Sequence, residues 1–414
     1  MRAVLENKPL CQRADYTYKF NAKTGRHGWL RLTPAYSLKI VEELIAEHRE
    51  ARRILDPFCG TGTTVLSAAY HGREGVTTDI NPFLVWLAQA KTATYSSREV
   101  ATALDACASA LDLVKRQAVE PAPQPPIHNI ERWWTPKELL FLRLLRAAIA
   151  ATTQEHSPEQ NLLMVAFCRS LIELSNAAFN HQSMSFKNES QLKVDLEIDL
   201  ATVFAEDVRF VLRGAAENPT GIANVMLGDA QNLTSIVEGP FDLVITSPPY
   251  ANRMSYIREL RPYMYWLGFL ANGRDAGELD WKAIGGTWGI ATSRLVDWER
   301  TTECFKSKQL DSVLARIAQS EHKNSVILAN YVAKYFDDMW AHLQSLISVL
   351  APNAEVHYIV GNSTFYGVLV PTELLFAEML ATLGFEGVRC KAIRKRNSKK
   401  ELIEFDVIGR WKGR

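Results

Sequence analysis

What the chain lacks narrows its class before any motif is read. The six cysteines, Cys11, Cys59, Cys107, Cys168, Cys304 and Cys390, form no C-x-x-C pair, which argues against a zinc knuckle or a disulfide framework and fits a reducing compartment. No uninterrupted apolar run approaches the length that crosses a bilayer, and the opening residues carry Arg2, Glu6 and Lys8 without the apolar centre of a signal peptide. Secretion and membrane insertion are therefore not expected, and the cytoplasm is the simple inference. An excess of charge is missing too. Lys plus Arg number 47 against 46 Asp plus Glu, so contact with nucleic acid has to come from a local basic face. Core-forming material is plentiful: 414 residues, 47% of them hydrophobic and 22% charged, suit one large domain with insertions, or two.

From residue 52 onward, short apolar runs alternate with helix-like segments, the pattern of strand-helix-strand units on a mainly parallel sheet. The pattern predicts strands at 53–56 and 75–79, a helix over 63–71, and another opening at Pro82, a residue at home in a first helical turn. The rhythm then breaks. A helix is predicted over 96–118, a linker at the Pro-rich 120–126, and two strongly apolar helices at 135–151 and 161–174. Strands resume at 222–227 and 241–246, with a helix between them. Residues 273–323, rich in Gly, Trp and charge, read as irregular, followed by a helix at 326–350, a strand at 354–360, a helix at 372–383 and strands near 388–393 and 402–408.

Two strings carry chemistry. Ile54-Leu-Asp-Pro-Phe-Cys-Gly-Thr-Gly-Thr-Thr64 runs from a strand through a glycine turn into a helix. Gly60 and Gly62 let backbone approach a ligand, and the following helix offers free N–H groups, a turn suited to a nucleoside-type cofactor. Two glycines alone also suit a tight structural turn; the flanking D-P-F-x-G-x-G-T-T makes the string informative. The second string, Phe241-Asp-Leu-Val-Ile-Thr-Ser-Pro-Pro-Tyr250, is a buried strand that stops at two prolines and an aromatic. Prolines remove donors and leave carbonyls free to accept, while Tyr250 supplies a flat face. An exocyclic amine on a base is a poor nucleophile, and a site that activates it accepts its hydrogens as the nitrogen attacks. The Ser247 hydroxyl and the Pro248 carbonyl are the acceptors on offer. Read structurally, the same string is only a rigid strand stop.

The two strings together resemble the S-adenosylmethionine-dependent amino-methyltransferases of DNA, with F-x-G-x-G at Phe58, Gly60 and Gly62 and the catalytic (D/N/S)-P-P-(Y/F/W) at Ser247, Pro248, Pro249 and Tyr250. The resemblance implies an α/β, Rossmann-like, mainly parallel seven-stranded methyltransferase sheet with a helical insertion. Residues 1–95 become the cofactor-binding part, 96–220 a mainly helical insertion suited to target recognition, and 221–414 the catalytic part. S-adenosylmethionine is the implied cofactor, held by Asp56, Phe58, Gly60, Gly62 and Thr63. Asp79, ending the second strand, is placed at the ribose hydroxyls, a capping acid before Asn81-Pro82 being its lesser reading, and Asp229 near the adenine amino group, where it could equally be a plain N-cap. Pro34, Ala35 and Tyr36 resemble the segment that covers the methionine end. Cofactor motif before catalytic motif matches the non-permuted order. A serine at position 247 resembles the cytosine-N4 branch, leaving adenine N6 in DNA or RNA as the alternative. No metal is implied, and no cysteine is placed for cytosine-C5 chemistry.

A base inside a duplex is out of reach, so the enzyme must extrude it, with Tyr250 stacking on the freed ring. Two stretches offer contacts to DNA. Residues 252–266 interleave Arg253, Arg258 and Arg261 with aromatics, a composition that suits phosphate contact and equally an amphipathic helix packing Tyr263, Trp266 and Leu267 inward. Residues 391–400 hold six basic residues between two strands, Arg394 and Arg396 among them, and read as a phosphate-gripping hairpin tip or a solvated loop. The polar group Ser175, Asn176, Asn180, His181, Gln182 and Ser183 suits base-edge reading less than it suits the end of a buried helix. DNA is the expected partner, with a restriction endonuclease or defence system behind it. A reading from another class is a non-catalytic nucleic-acid-binding subunit of a defence complex, which an intact S-P-P-Y argues against.

Overall fold

A computed structural model describes residues 10–32, 36–178, 185–186, 199–252, 255–287, 290–396 and 402–413. Its centre is a seven-stranded sheet: β1 (Arg53–Asp56), β2 (Glu74–Asp79), β3 (Ile222–Leu227), β4 (Phe241–Thr246), β5 (Leu350–Gly361), β6 (Glu386–Lys395) and β7 (Ile403–Arg410). The spatial order is β6-β7-β5-β4-β1-β2-β3, and only β7 runs antiparallel to its neighbours. The chain is thus α/β and Rossmann-like, as the alternating pattern predicts. Order reverses between β1 and β4, and a crevice opens beyond the carboxyl ends of the strands at such a switch point.

Strand alternation sends successive side chains to opposite faces of this sheet. Ile54, Leu243, Ile245 and Ile359 meet Ile40, Val41, Leu44 and Ile45 of helix α1 (Leu38–Glu47) on one face. Leu55, Val244, Val356 and Tyr358 meet Phe336, Met339 and Leu343 of the long helix Ser325–Leu346 on the other. The helices of 97–215, namely Ser97–Lys115, Pro136–Thr152, Pro158–Glu173 and Leu200–Ala215, share one continuous apolar cluster with Phe83 and Leu87 after β2 and with Tyr263 and Trp266 after the catalytic strand. The insertion is therefore packed between the two motif-bearing halves of the chain, and both are in contact with it.

Two expectations need correcting, and one hairpin is additional. The stretch 273–323 holds the helices Gly273–Lys282, Ile290–Arg294 and Lys308–Ala318. Asn272 and Ser307 cap the first and third of them, accepting from Arg274 and Asp275 N–H and from Leu310 N–H, and Leu310, Val313 and Ile317 turn an apolar stripe onto the core. The segment after β3 forms short 3-10 turns at Ala230–Ser235 in place of a helix. A hairpin of Ser363–Phe365 and Val368–Val370 follows β5 and was not legible as strands. Among the described residues no helix is long and apolar enough to cross a membrane.

Candidate active site

The glycine turn begins where β1 stops. Asp56, buried at the end of β1, accepts from Phe58 N–H (3.1 Å) and from the Thr246 hydroxyl at the end of β4 (2.6 Å). One carboxylate therefore sets the turn and locks the two motif-bearing strands in register. Burial lifts its pKa to about 7, with the Thr246 and Phe58 donors pulling the other way. At the end of β2, Asp79 accepts from Gly60 N–H (3.0 Å) and Asn81 N–H (2.9 Å), and burial raises its pKa to about 6. From below, the buried Lys91 ammonium donates to the Thr61 carbonyl (2.9 Å), its pKa lowered to about 8 by desolvation.

Gly62 caps helix α2 (Thr63–Tyr70) at φ +74, and a Cβ there would stand 3.0 Å from the Ala88 methyl. Left-handed strain costs an L residue ~1–2 kcal/mol. Gly62→Ala should thus lower unfolding free energy by about 2 kcal/mol, strain plus crowding, read from the urea midpoint at unchanged m-value; an unaltered midpoint would count against this account of the turn.

The catalytic loop leaves β4 beside this turn. Ser247 donates to the Ile359 carbonyl of β5 (3.0 Å), which commits its one proton and leaves its lone pairs for a donor. The Tyr335 hydroxyl donates to the Pro249 carbonyl (2.8 Å), and Tyr250 N–H donates to the Tyr256 hydroxyl oxygen (3.0 Å). The Tyr250 hydroxyl donates to Glu404 (2.9 Å), and the Arg396 guanidinium lies 4.9 Å from the ring centroid. Burial, with Glu404 nearby, holds the Tyr250 phenol protonated. Gly361 makes room for this arrangement: a Cβ would fall 2.9 Å from the Tyr250 ring and 2.5 Å from Arg396.

Both motifs wall one cavity of about 350 Å³. Tyr36, Phe58, Gly60, Asp79 and Asp229 line it on the glycine-turn side, and Ser247, Pro248, Pro249 and Tyr250 on the other. The glycine turn and the diproline loop therefore share a cleft. Asp56, Gly62 and Thr63 do not line it; they lie behind the turn and shape it, Thr63 pairing with the Thr61 hydroxyl at 2.9 Å. Asp229 lines the cavity and caps its own turn at once, accepting from Gln231 N–H (3.0 Å). Pro34, Ala35 and Arg253 lie outside the described residues, as do Asn180, His181, Gln182 and Ser183. Arg258 sits half-buried on the helix Tyr256–Leu267, away from the cavity lining. Arg394 and Arg396 both line the cavity, at the end of β6. The Arg394 fork is spent on the buried Glu404 (2.7 and 3.2 Å), because a carboxylate with little solvent needs a cation beside it. Arg396 also turns inward, donating to the Asn362 carbonyl (2.8 Å).

Glu404, Lys91 and Gly361 escaped the sequence reading. No local motif surrounds them, and each acquires its role from a segment far away in the chain. A run of basic residues opposite a strand bearing the two acids Glu404 and Asp406 was the one available hint for Glu404.

Comparison with known proteins agrees with this geometry. The family model of the D12 class N6 adenine-specific DNA methyltransferases matches residues 38–117, which contain the glycine turn and Asp79 and stop short of the catalytic loop. Relatives matching most of the chain include the Type II methyltransferase M.MvaI of Kocuria varians, 22% identical over 84% of this chain and 78% of the relative. The Type II methyltransferase M.BsoBI of Geobacillus stearothermophilus is 22% identical over 98% of this chain and 88% of its own length. Over most of its length the chain is thus similar to Type II DNA methyltransferases, and over residues 38–117 to the amino-methyltransferases of DNA. Type II methyltransferase M.AvaI of a Nostoc strain matches at 19% identity over 93% of this chain and 85% of its own. Among solved structures, an rRNA methyltransferase from Streptomyces viridochromogenes aligns at TM-score 0.32 and 11% identity; the fold assignment rests on strand order instead. S-adenosylmethionine is the methyl donor of the family, and this cavity fits it: a Cβ built on Gly60 would meet nothing nearer than the Phe58 carbonyl at 3.8 Å, so the space over the turn is open beside the Asp79 carboxylate.

Proposed function

We propose that this amino-methyltransferase modifies DNA, transferring a methyl group to the exocyclic amino nitrogen of a flipped-out base, with cytosine N4 as the target. The observation that carries the reading is the shared cavity, with an acidic glycine turn on one wall and an acceptor-rich diproline loop on the other. Bound S-adenosylmethionine supplies an electrophilic methyl group. Asp79 accepts from its ribose hydroxyls, Asp229 from its adenine amine, and Phe58 and Tyr36 pack against it; Pro34 and Ala35 belong with Tyr36. Asp56, Gly62 and Thr63 keep the turn in shape. Ser247, with its proton spent on Ile359, and the Pro248 carbonyl accept the amine hydrogens, which raises electron density on the nitrogen as it attacks. Tyr250, backed by Arg396, stacks on the base. Arg253 and Arg258 contact phosphate.

Serine at the head of the tetrapeptide favours cytosine N4. The match of residues 38–117 to an adenine-N6 family favours the second reading, though that segment holds the cofactor and not the base. Incubating purified chain with unmethylated DNA and S-adenosylmethionine, then digesting to nucleosides for mass spectrometry, separates the two. N4-methylcytosine is the expected product; N6-methyladenine would move the target, and no methylated nucleoside would sink the reading. The relatives' description as Type II methyltransferases supports a restriction endonuclease of the same specificity as functional partner.

A further inference from the structure

At the end of α1 a second set of chemically capable side chains converges, none of which lines the cavity. His48 caps α1, and Glu355 and His357 lie two apart on β5, so both face the side of the sheet that α1 covers. His48 Nε2 and His357 Nε2 each stand 3.4 Å from the same oxygen, Glu355 Oε1, and the three donor atoms lie within 4.8 Å of one another. We infer that His48, Glu355 and His357 form a binding site for a divalent transition-metal ion of the zinc type.

Geometry and wiring both point that way. Ligands bound at ~2.0–2.1 Å to a tetrahedral zinc ion are spaced roughly 3.3–3.4 Å apart, which is the spacing of each imidazole nitrogen from Glu355 Oε1. His357 is 98% buried, and its Nε2 has no hydrogen-bond partner. The remaining ring nitrogens are occupied: His357 Nδ1 pairs with Asp406 Oδ2 of β7 (2.9 Å) and His48 Nδ1 with the Leu44 carbonyl (2.8 Å). Carboxylate and carbonyl partners of this kind orient imidazoles in metal sites and leave the Nε2 lone pair facing the ion. Arg410 holds the other Glu355 oxygen (3.0 Å), and Arg389 reaches Oε1 at 3.5 Å. These guanidiniums fix the plane of the carboxylate, and they weaken the site for a hard cation while an imidazole-preferring ion retains two nitrogen donors. Glu355 and His48 are partly exposed at 12% and 22% of their side chains, which leaves an entry path and a position for water. A bound ion would tie the end of α1 to β5, and α1 begins two residues after Tyr36 at the cavity wall.

Full-length chain is stripped with chelator and titrated with Zn²⁺ alone by calorimetry, and in parallel with Co²⁺, whose visible absorption reports tetrahedral nitrogen and oxygen coordination. One ion per chain, a rise in Tm that chelator reverses, and a tetrahedral cobalt band are expected. His48→Ala, at a half-exposed helix end where folding tolerates it, should weaken Zn²⁺ affinity at least tenfold and abolish the band; His357→Gln should do the same. Uptake of no zinc by the wild-type chain overturns the site, as does equal uptake by both variants. In those cases the cluster is a proton-bearing ion-pair network.

Discussion

Tyr250→Ala should lower the single-turnover rate of methyl transfer by at least ~100-fold, while S-adenosylmethionine affinity stays within about twofold of wild type. Stacking of a base on an aromatic ring contributes ~1–3 kcal/mol, and misorienting the reacting nitrogen adds to that loss. The ring is held from every side. Its hydroxyl donates to Glu404, its N–H reaches Tyr256, Arg396 lies over its face, and the preceding Pro249 carbonyl is pinned by Tyr335. Such a platform waits in place before the base arrives, so its removal affects the transferred base and not the donor. Tyr250→Phe isolates one of these restraints. It keeps the stacking surface and removes the bond to Glu404 together with the longer one from the Ser247 hydroxyl (3.4 Å); the bond to the charged acceptor is worth about 1.5 kcal/mol, roughly tenfold in rate. Rapid-quench methyl transfer on a DNA substrate, alongside calorimetric cofactor binding, measures both. A Tyr250→Ala enzyme as fast as wild type would remove the base from this part of the cavity.

The strength of that clamp was invisible in the sequence, although its aromatic was plain. The strands were legible because Leu55, Val244 and Val356 lie in apolar runs that a parallel sheet buries on both faces. The two loops were legible because glycine and proline change backbone options locally. Glu404 is a different matter. In the sequence it looks like any surface acid on a strand until Arg394 and Tyr250, ten and more than a hundred residues away, close around it. The stretch 273–323 misled for the opposite reason: its glycines and charges weaken local helix preference, and packing of Leu310, Val313 and Ile317 against the core overrides that preference. Local chemistry announced where the site begins and ends. Long-range pairing decided which side chains complete it.

The Asp79 carboxylate should make cofactor affinity and fold stability respond to pH in opposite directions. Burial raises its pKa from 3.8 to about 6, with Asn81, Gly60 and Ile80 N–H groups opposing the shift. In the cofactor-free protein a carboxyl whose folded pKa exceeds its unfolded value stabilises most below the unfolded value. That contribution is lost as pH rises through about 6. Asp56, raised to about 7, works in the same direction. Ribose hydroxyls, in contrast, donate to the ionised form. Affinity for S-adenosylmethionine should therefore be full above pH ~7, fall as pH drops through about 6, and approach a tenfold loss per unit below it. Asp79→Asn retains one carbonyl acceptor for the turn and loses the charge. It should bind the donor ~10–100-fold more weakly at pH 7.5, since hydrogen bonds to a charged group contribute ~1.5–3 kcal/mol. Its affinity should be nearly flat across the acid range. Calorimetric titration from pH 5 to pH 8, in steps of about half a unit, checks the sign and the slope together. A wild-type affinity that rose on acidification would place the ribose away from Asp79, and with it the donor away from the end of β2.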